Sequence, residues 1–249
     1  MKKKIVLMLT VIMLIGLAGC GKNQINIKET GTSDNNEQMV QNIYENKRTE
    51  VKQKISEIKE RLPETSAEDK GTCGSKAKWY YKDNTLIIYG EGVITEDTWH
   101  KSNIVINTVV IDSGITKLGN NMFSGLGSEV GKNIENFYIA DGLEEIGSST
   151  FVNCDCLSEI VLPPSLYFID GYTFASCDSL KNVYMTDGVE KIGDSAFTGC
   201  KSLDSIFIPK TVLAIGNGVF TGCNNLSDIQ ISKDNRIFSE KNNLSLIHI

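Results

Sequence analysis

The chain has 249 residues, of which 41% are hydrophobic and 22% charged, the ordinary composition of a soluble or secreted protein. Its formal net charge of −6 disfavours nucleic acid as a partner, because neutralising phosphates requires basic side chains.

Residues 1–19 have the features of a secretion signal. Three lysines precede an apolar run over residues 5–17, which is too short to span a bilayer comfortably. The run ends in Leu17-Ala18-Gly19-Cys20, which resembles a bacterial lipobox. That resemblance implies that Cys20 carries a diacylglycerol and anchors the protein to the outer face of the bacterial membrane. The alternatives are an ordinary cleaved signal and an uncleaved anchor.

Residues 20–36 are polar and are predicted to form a flexible tether. An amphipathic helix is predicted over residues 37–62, where apolar side chains recur every three or four positions and Pro63 follows. Its stripe consists of Met39, Ile43, Val51, Ile55, Ile58 and Leu62. We expect a lone spacer that holds the rest of the chain off the membrane, or alternatively a coiled-coil stalk.

A small β cap is predicted over residues 72–112, after a linker at residues 63–71. Residues 79–81 and 86–89 suit a hairpin that turns at Asp83-Asn84, and Thr108–Ile111 suits a further strand. A stack of repeats needs such a cap, because its end coil otherwise exposes an apolar edge.

Residues 113–231 form the repeat region, in which one pattern recurs with a period of 23 residues. The most regular columns are Phe151, Phe174, Phe197 and Phe220; Cys154, Cys177, Cys200 and Cys223; and Leu157, Leu180, Leu203 and Leu226. A unit this short cannot bury its own apolar face, so the period predicts a repeat solenoid of short β-strands and helical turns. We expect the four phenylalanines to lie in one buried file.

The repeats resemble the BspA-like class of leucine-rich repeats. The elements that carry the resemblance are I-x-I-P, V-x-x-I-G, A-F-x-x-C and L-x-x-I, as in the run VEKIGDSAFTGCKSLDSIFIP at residues 189–209. The family implies a bacterial surface or secreted protein that binds matrix proteins or other macromolecules, and it implies no chemistry. Two departures are Leu126 in place of the cysteine and Asp170 in place of a corner glycine.

The repeat pattern gives way after Ile231, and residues 232–249 are expected to be a truncated end. Residues 244–249 resemble a translated sequencing adapter, so we expect the gene to continue differently beyond Asn243.

The pattern offers no catalytic, cofactor or metal site. Nothing in it places a base beside a nucleophile, and Asp141 and Asp187 have the positions of turn residues. The repeated cysteines are expected to be free, buried thiols, because stacked side chains do not face one another. Metal binding by Cys154 and Cys156 is the less favoured interpretation. Cys73 could pair with Cys156 or with another molecule.

One outward position per repeat is predicted to form a binding face. Period 2 places these side chains between the inward pairs of each strand, and they are Tyr138, Val161, Tyr184, Phe207 and Gln230. A helix or the insertion at residues 127–131 could instead cover them.

The sequence therefore predicts a lipid-anchored surface protein whose repeats bind a protein or glycan without catalysis. The alternative is a targeting module of a longer envelope enzyme, with the catalytic domain beyond residue 243. A spacer without its own ligand is a third possibility.

Overall fold

The computed structural model describes residues 26–29, 34–101, 104–125 and 129–238. Two α-helices are present in this part of the chain, α1 (Asp34–Arg61) and the short α2 (Glu129–Lys132). The strands are β1 (Asn26–Glu29), β2 (Asp69–Thr72), β3 (Lys76–Lys82), β4 (Thr85–Ile94), β5 (Thr108–Ile111), β6 (Ile115–Leu118), β7 (Asn136–Ile139), β8 (Glu145–Ile146), β9 (Glu159–Val161), β10 (Phe168–Ile169), β11 (Asn182–Tyr184), β12 (Lys191–Ile192), β13 (Ser205–Ile208), β14 (Ala214–Ile215) and β15 (Asp228–Ile231).

The strands wind into a β-solenoid of about six turns, which confirms the predicted fold class. Each coil contributes one strand to each of two parallel ladders. The first ladder contains β5, β7, β9, β11, β13 and β15, which pair as β5–β7, β9–β11 and β13–β15, with the three pairs lying next to one another along the stack. The second ladder is continuous and contains β6, β8, β10, β12 and β14. Equivalent residues of successive coils therefore lie side by side, as the 23-residue period predicts.

The core is a file of aromatic rings that runs along the stack. Phe151, Phe174, Phe197 and Phe220 are all 0% exposed, which confirms the predicted buried file. Neighbouring rings are nearly parallel, with centroids 5.1, 5.2 and 5.9 Å apart. Phe123 and Trp99 extend the file towards the cap. The Phe123 ring centroid lies 5.9 Å from that of Phe151, and the Trp99 centroid lies 5.4 Å from that of Phe123.

The N-terminal end is closed by an antiparallel unit of β2, β3 and β4. The hairpin turns at Asp83 and Asn84 as predicted, and both residues have the positive φ that such two-residue turns require (48° and 56°). Strand β4 pairs first with β5 and then with β6, so it enters both ladders. The change of ladder falls at Gly90, where φ is 101° and a Cβ would lie 2.2 Å from the Lys76 carbonyl oxygen.

Three segments differ from the sequence prediction. The tether contains β1, which pairs in parallel with β15, and the linker at residues 63–71 contains a 3₁₀ turn and the start of β2. The repeat register also continues past Ile231. Asn235 is 2% exposed and Phe238 is 4% exposed, one period after Val212 and Ile215.

The pattern missed this continuation because Asn235 replaces an apolar residue. Its Nδ2 donates to the carbonyl oxygens of Pro209 and Val212, at 2.8 and 3.0 Å. Its Oδ1 accepts the backbone N–H groups of Ile237 and Phe238, both at 2.9 Å. A fully hydrogen-bonded amide is tolerated at a buried position, whereas an unsatisfied one is costly.

Candidate functional site

The five residues of the predicted binding face lie on one side of the first ladder. Their strands place Val110 beside Tyr138, Val161 beside Tyr184, and Phe207 beside Gln230. The predicted alignment is therefore present. Exposure is lower than expected, because Val161 is only 4% exposed and the other four side chains are half-buried.

Helix α1 covers much of this face. Its buried side chains form an apolar cluster with the outward residues of the cap and the first coils. The members from α1 are Tyr44, Val51, Ile55 and Ile58, and Leu62 follows directly after the helix. Those from the strands are Tyr80, Ile87, Val110 and Val161, with Tyr138 and Tyr184 packed against them. The prediction of an open face was wrong at Val161 and incomplete at Tyr138 and Tyr184, since a helix occupies the place expected for a ligand.

Polar contacts fix the helix on the ladder. The Tyr44 hydroxyl donates to the Leu162 carbonyl oxygen at 2.8 Å, and the loss of water around it raises the pKa of Tyr44. Arg48 is 3% exposed and donates to the Ile139 carbonyl oxygen at 2.8 Å and to Asp141 at 2.5 Å. Buried polar groups with such partners specify one docking position, because any shift of the helix would leave them unsatisfied.

The helix runs antiparallel to the order of the coils. Glu37 near its beginning contacts Ser232 after the last strand, and Gln41 accepts from Thr186 at 2.9 Å. At the other end, Leu62 just beyond α1 accepts from the Tyr80 hydroxyl at 2.9 Å. Its 28 residues span about 42 Å, enough to follow the stack from end to end. The predictions of a free spacer and of a coiled-coil stalk were therefore wrong.

The second ladder, in contrast, presents exposed apolar side chains among charges. Tyr167 is 40% and Leu213 is 55% exposed, while Lys191 lies with its Nζ 4.9 Å from the centre of the Phe168 ring. We call Tyr167, Phe168, Lys191 and Leu213 the open patch. The open patch could not be predicted from the sequence, because the second strands have only two residues, too few to show an alternating pattern.

The repeated cysteines lie inside the solenoid. Cys154, Cys177 and Cys200 are 0% exposed, and Cys223 is 6% exposed. Each thiol donates to the carbonyl oxygen of the phenylalanine in the preceding coil, at 2.9 to 3.3 Å. The column therefore satisfies backbone acceptors as well as filling space, and burial raises the pKa of Cys177 well above its usual value.

The remaining cysteines differ in environment. Cys73 is fully buried in the cap, which raises its pKa to about 12, whereas Cys156 is exposed. A bond from Cys73 to another molecule would require the cap to open. Cys20 lies outside the described residues, so the structure does not test its lipidation.

The described residues offer neither a metal-binding cluster nor a membrane-spanning helix. No three His, Cys, Asp or Glu side chains converge there in an arrangement that could hold a metal ion. None of the described helices combines the length and apolar character needed to cross a bilayer.

This stack of short coils, each with a strand, a turn and a second strand around an aliphatic and aromatic core, defines a leucine-rich repeat solenoid. Residues 128–245 match the family described as the BspA type leucine rich repeat region, in six copies. The matched residues are a little under half of the chain, and they are similar to this family over all six copies.

Three solved structures illustrate the similarity. A leucine-rich repeat protein from Eubacterium ventriosum has 24% identity and a TM-score of 0.58, over 68% of this chain and 45% of that one. A leucine-rich repeat protein of T. pallidum has 18% identity and a TM-score of 0.47, over 74% of this chain and 92% of that one. A leucine rich cell surface protein from Faecalibacterium prausnitzii has 21% identity and a TM-score of 0.45, over 68% and 56%.

The identities are low enough that these structures bear on the fold alone. The chain spans less than half the length of the E. ventriosum protein. A search of curated proteins found no match.

Proposed function

We propose that this protein is a lipid-anchored bacterial surface protein whose solenoid binds a protein or glycan without catalysing a reaction. The family supports a repeat scaffold with a surface or binding role. The lipobox-like sequence at residues 17–20 supports attachment through Cys20.

The observation that carries the binding role is the open patch. Helix α1 covers part of the first ladder, whereas the second ladder presents Tyr167 and Leu213 to solvent beside Phe168 and Lys191. Aromatic side chains such as Tyr167 and Phe168 are enriched at the centre of recognition surfaces. A rigid ladder also holds them in place, so little conformational entropy is lost when a partner binds.

The anchoring is tested by the substitution Cys20→Ala. Without a thiol there is no acceptor for the diacylglycerol, so we expect the protein to move from the membrane fraction to the soluble fraction. The measurement is fractionation followed by immunoblotting. A variant that stays in the membrane fraction would contradict the proposed anchor.

The binding role is tested with the double variant Tyr167→Ser, Leu213→Ser. We expect saturable binding of the unaltered protein to at least one member of a panel of matrix proteins and cell-wall polysaccharides, and at least about a tenfold weaker Kd for the variant. Tyr172→Ser is the matched control, because Tyr172 is 51% exposed but lies on the turn between the ladders. Equal affinity of the unaltered protein, the double variant and the control would show that the binding site lies outside the open patch.

The second candidate function is a targeting module within a longer envelope enzyme. The observation in its favour is that the E. ventriosum protein extends well beyond the matched region. A genomic read through residue 243, followed by an assay of whatever domain it encodes, tests this candidate.

A further inference from the structure

Ion pairs hold both flanks of helix α1 to the first ladder. On one side, Lys52 pairs with Asp141 at 2.8 Å and Lys59 pairs with Asp112 at 2.5 Å, so the helix is fastened to the corners that follow β7 and β5. On the other side, Lys47 pairs with Glu159 at 3.0 Å, while Lys54 and Arg61 extend over the beginnings of the first strands. A cleft lies between this second flank of the helix and the ladder.

The cleft consists of two adjoining cavities of about 370 and 230 Å³. Tyr138 and Lys54 line both, so the two form one elongated depression, which we call the side cleft. The larger cavity is bounded by Thr85 and Thr108 on the ladder and by Glu57, Ile58 and Arg61 on the helix. Its volume falls within the range in which proteins bind small organic ligands.

Hydroxyl groups and an aromatic ring form the floor of the side cleft. Thr85 and Thr108 are neighbours in the register of β4 and β5; Thr85 is 4% exposed and its hydroxyl donates to the Asp83 carbonyl oxygen at 3.3 Å, whereas Thr108 on β5 and Tyr138 on β7 are half-buried. Threonine and tyrosine hydroxyls both donate and accept hydrogen bonds, as sugar hydroxyls do. The Tyr138 ring adds an apolar surface beside them, and this combination suits the alternating polar and apolar surface of a saccharide.

The charges on the helix flank leave one cation without a partner. Glu57 accepts from Gln53 at 2.8 Å and from Lys54 at 3.0 Å, and Lys47 pairs with Glu159 at 3.0 Å. Arg61 is exposed and has no carboxylate within ion-pair distance among the described residues. Its planar guanidinium is the group best shaped to bind a carboxylate through two parallel hydrogen bonds.

We propose that the side cleft binds an oligosaccharide that carries a single carboxylate, with Arg61 as the carboxylate receptor and Tyr138 and Thr108 as the contacts to the sugar rings. The net charge of −6 for the whole chain opposes a densely charged polyanion, so the ligand is a glycan with an isolated acidic sugar. This site is separate from the open patch and does not depend on it.

The test compares 3′-sialyllactose with lactose, which lacks the acidic sugar but is otherwise the same. Binding of each to the protein is followed by NMR titration at low and at physiological salt. We expect 3′-sialyllactose to bind at least about tenfold more tightly than lactose, the effect of one charge-assisted contact, and its affinity to fall as salt increases.

Two variants locate the carboxylate receptor. Arg61→Gln should remove the preference for 3′-sialyllactose, whereas Arg236→Gln, the same change at an exposed arginine in the last coil, should preserve it. Urea unfolding of both variants checks that the fold is intact. The open-patch variant Tyr167→Ser, Leu213→Ser should bind 3′-sialyllactose normally, so failure of one proposal is distinguishable from failure of the other.

Three outcomes would overturn the proposal. The first is equal affinity for the two sugars, and the second is an unchanged preference in Arg61→Gln. The third is that an acidic peptide binds in the side cleft at concentrations where 3′-sialyllactose does not.

Discussion

At the scale of single residues, the period of 23 determines most of the interior. A residue type that recurs in register meets its own copies in space, which is why the phenylalanine file and the inward cysteines could be predicted from the sequence. The hydrogen bonds from those thiols to the Phe carbonyl oxygens could not, since a column of small apolar residues would show the same period.

The file should be sensitive to truncation at its centre. We expect Phe174→Ala to lower the free energy of unfolding by about 3–5 kcal/mol, because Phe174 stacks between Phe151 and Phe197 at 5.1 and 5.2 Å and the coils cannot collapse into the gap. Urea unfolding followed by circular dichroism measures this loss.

Phe168→Ala provides the control for that measurement. Phe168 is half-buried on the second ladder, and its removal should cost about 1 kcal/mol or less. Similar losses at Phe174 and Phe168 would show that the file contributes no special stability.

At the scale of elements, the sequence predicted the helix but assigned it the wrong surroundings. Met39 and Ile43 were placed on its apolar stripe, yet they are 61% and 40% exposed, and Tyr44 and Arg48 are buried instead. Tyr44, Arg48, Val51 and Ile55 are spaced by three or four residues, so all four lie on one face of the helix. Amphipathicity indicates that a helix packs against a partner, but it does not identify that partner. The buried face was not recognised because Tyr44 and Arg48 have long side chains with polar ends, which are not counted as apolar.

The docking of α1 should depend on pH through Asp141. Partial burial works to raise the pKa of this carboxyl, but hydrogen bonds and charges from Lys52 and Arg48 outweigh it and hold the pKa below its usual range. The lowered pKa means that Asp141 stabilises the folded state at neutral pH. This contribution is lost as pH falls from about 3.9, the unfolded value, through the lower folded value.

The variant Asp141→Asn tests this contribution. At pH 7 it should lower the free energy of unfolding by about 1–3 kcal/mol, because Arg48 loses its charged partner. It should also reduce the loss of stability between pH 4 and pH 2, measured from urea midpoints at each pH. Glu190→Gln, at an exposed carboxylate with no ion pair among the described residues, should change neither quantity.

At the scale of the whole molecule, a helix that touches every part of the stack changes how the stack unfolds. Coils in a solenoid contact only their neighbours, so the ends of an uncovered stack can fray independently. Contacts from α1 reach Ser232 at one end and the cap at the other, and they should make unfolding a single cooperative event.

Charges placed beneath the helix should remove this cooperativity. The double variant Val51→Lys, Ile58→Lys buries two lysines against the first ladder and should release α1, giving a broader urea transition with a smaller m-value. The matched control is Met39→Lys, Ile43→Lys, which places the same charges at exposed positions of the same helix. A variant that unfolds as sharply as the control would show that α1 does not couple the coils.

The two open surfaces illustrate the limit of prediction from the sequence. The open patch lies on and directly before strands of two residues, and the side cleft exists only because α1 docks on the first ladder. The patch joins residues of different coils, and the cleft joins the helix to strands far along the chain, so no local pattern encodes either surface.

Strand β1 also determines the orientation that a lipid-anchored molecule would have relative to the membrane. It lies on the outer edge of β15, and only five residues separate Cys20 from Asn26. A lipid on Cys20 would therefore hold the last coil close to the bilayer, while the hairpin of β3 and β4 would point into the surroundings. Trp79 and Trp99 lie at that end, so quenchers embedded in the lipid should leave their fluorescence unchanged.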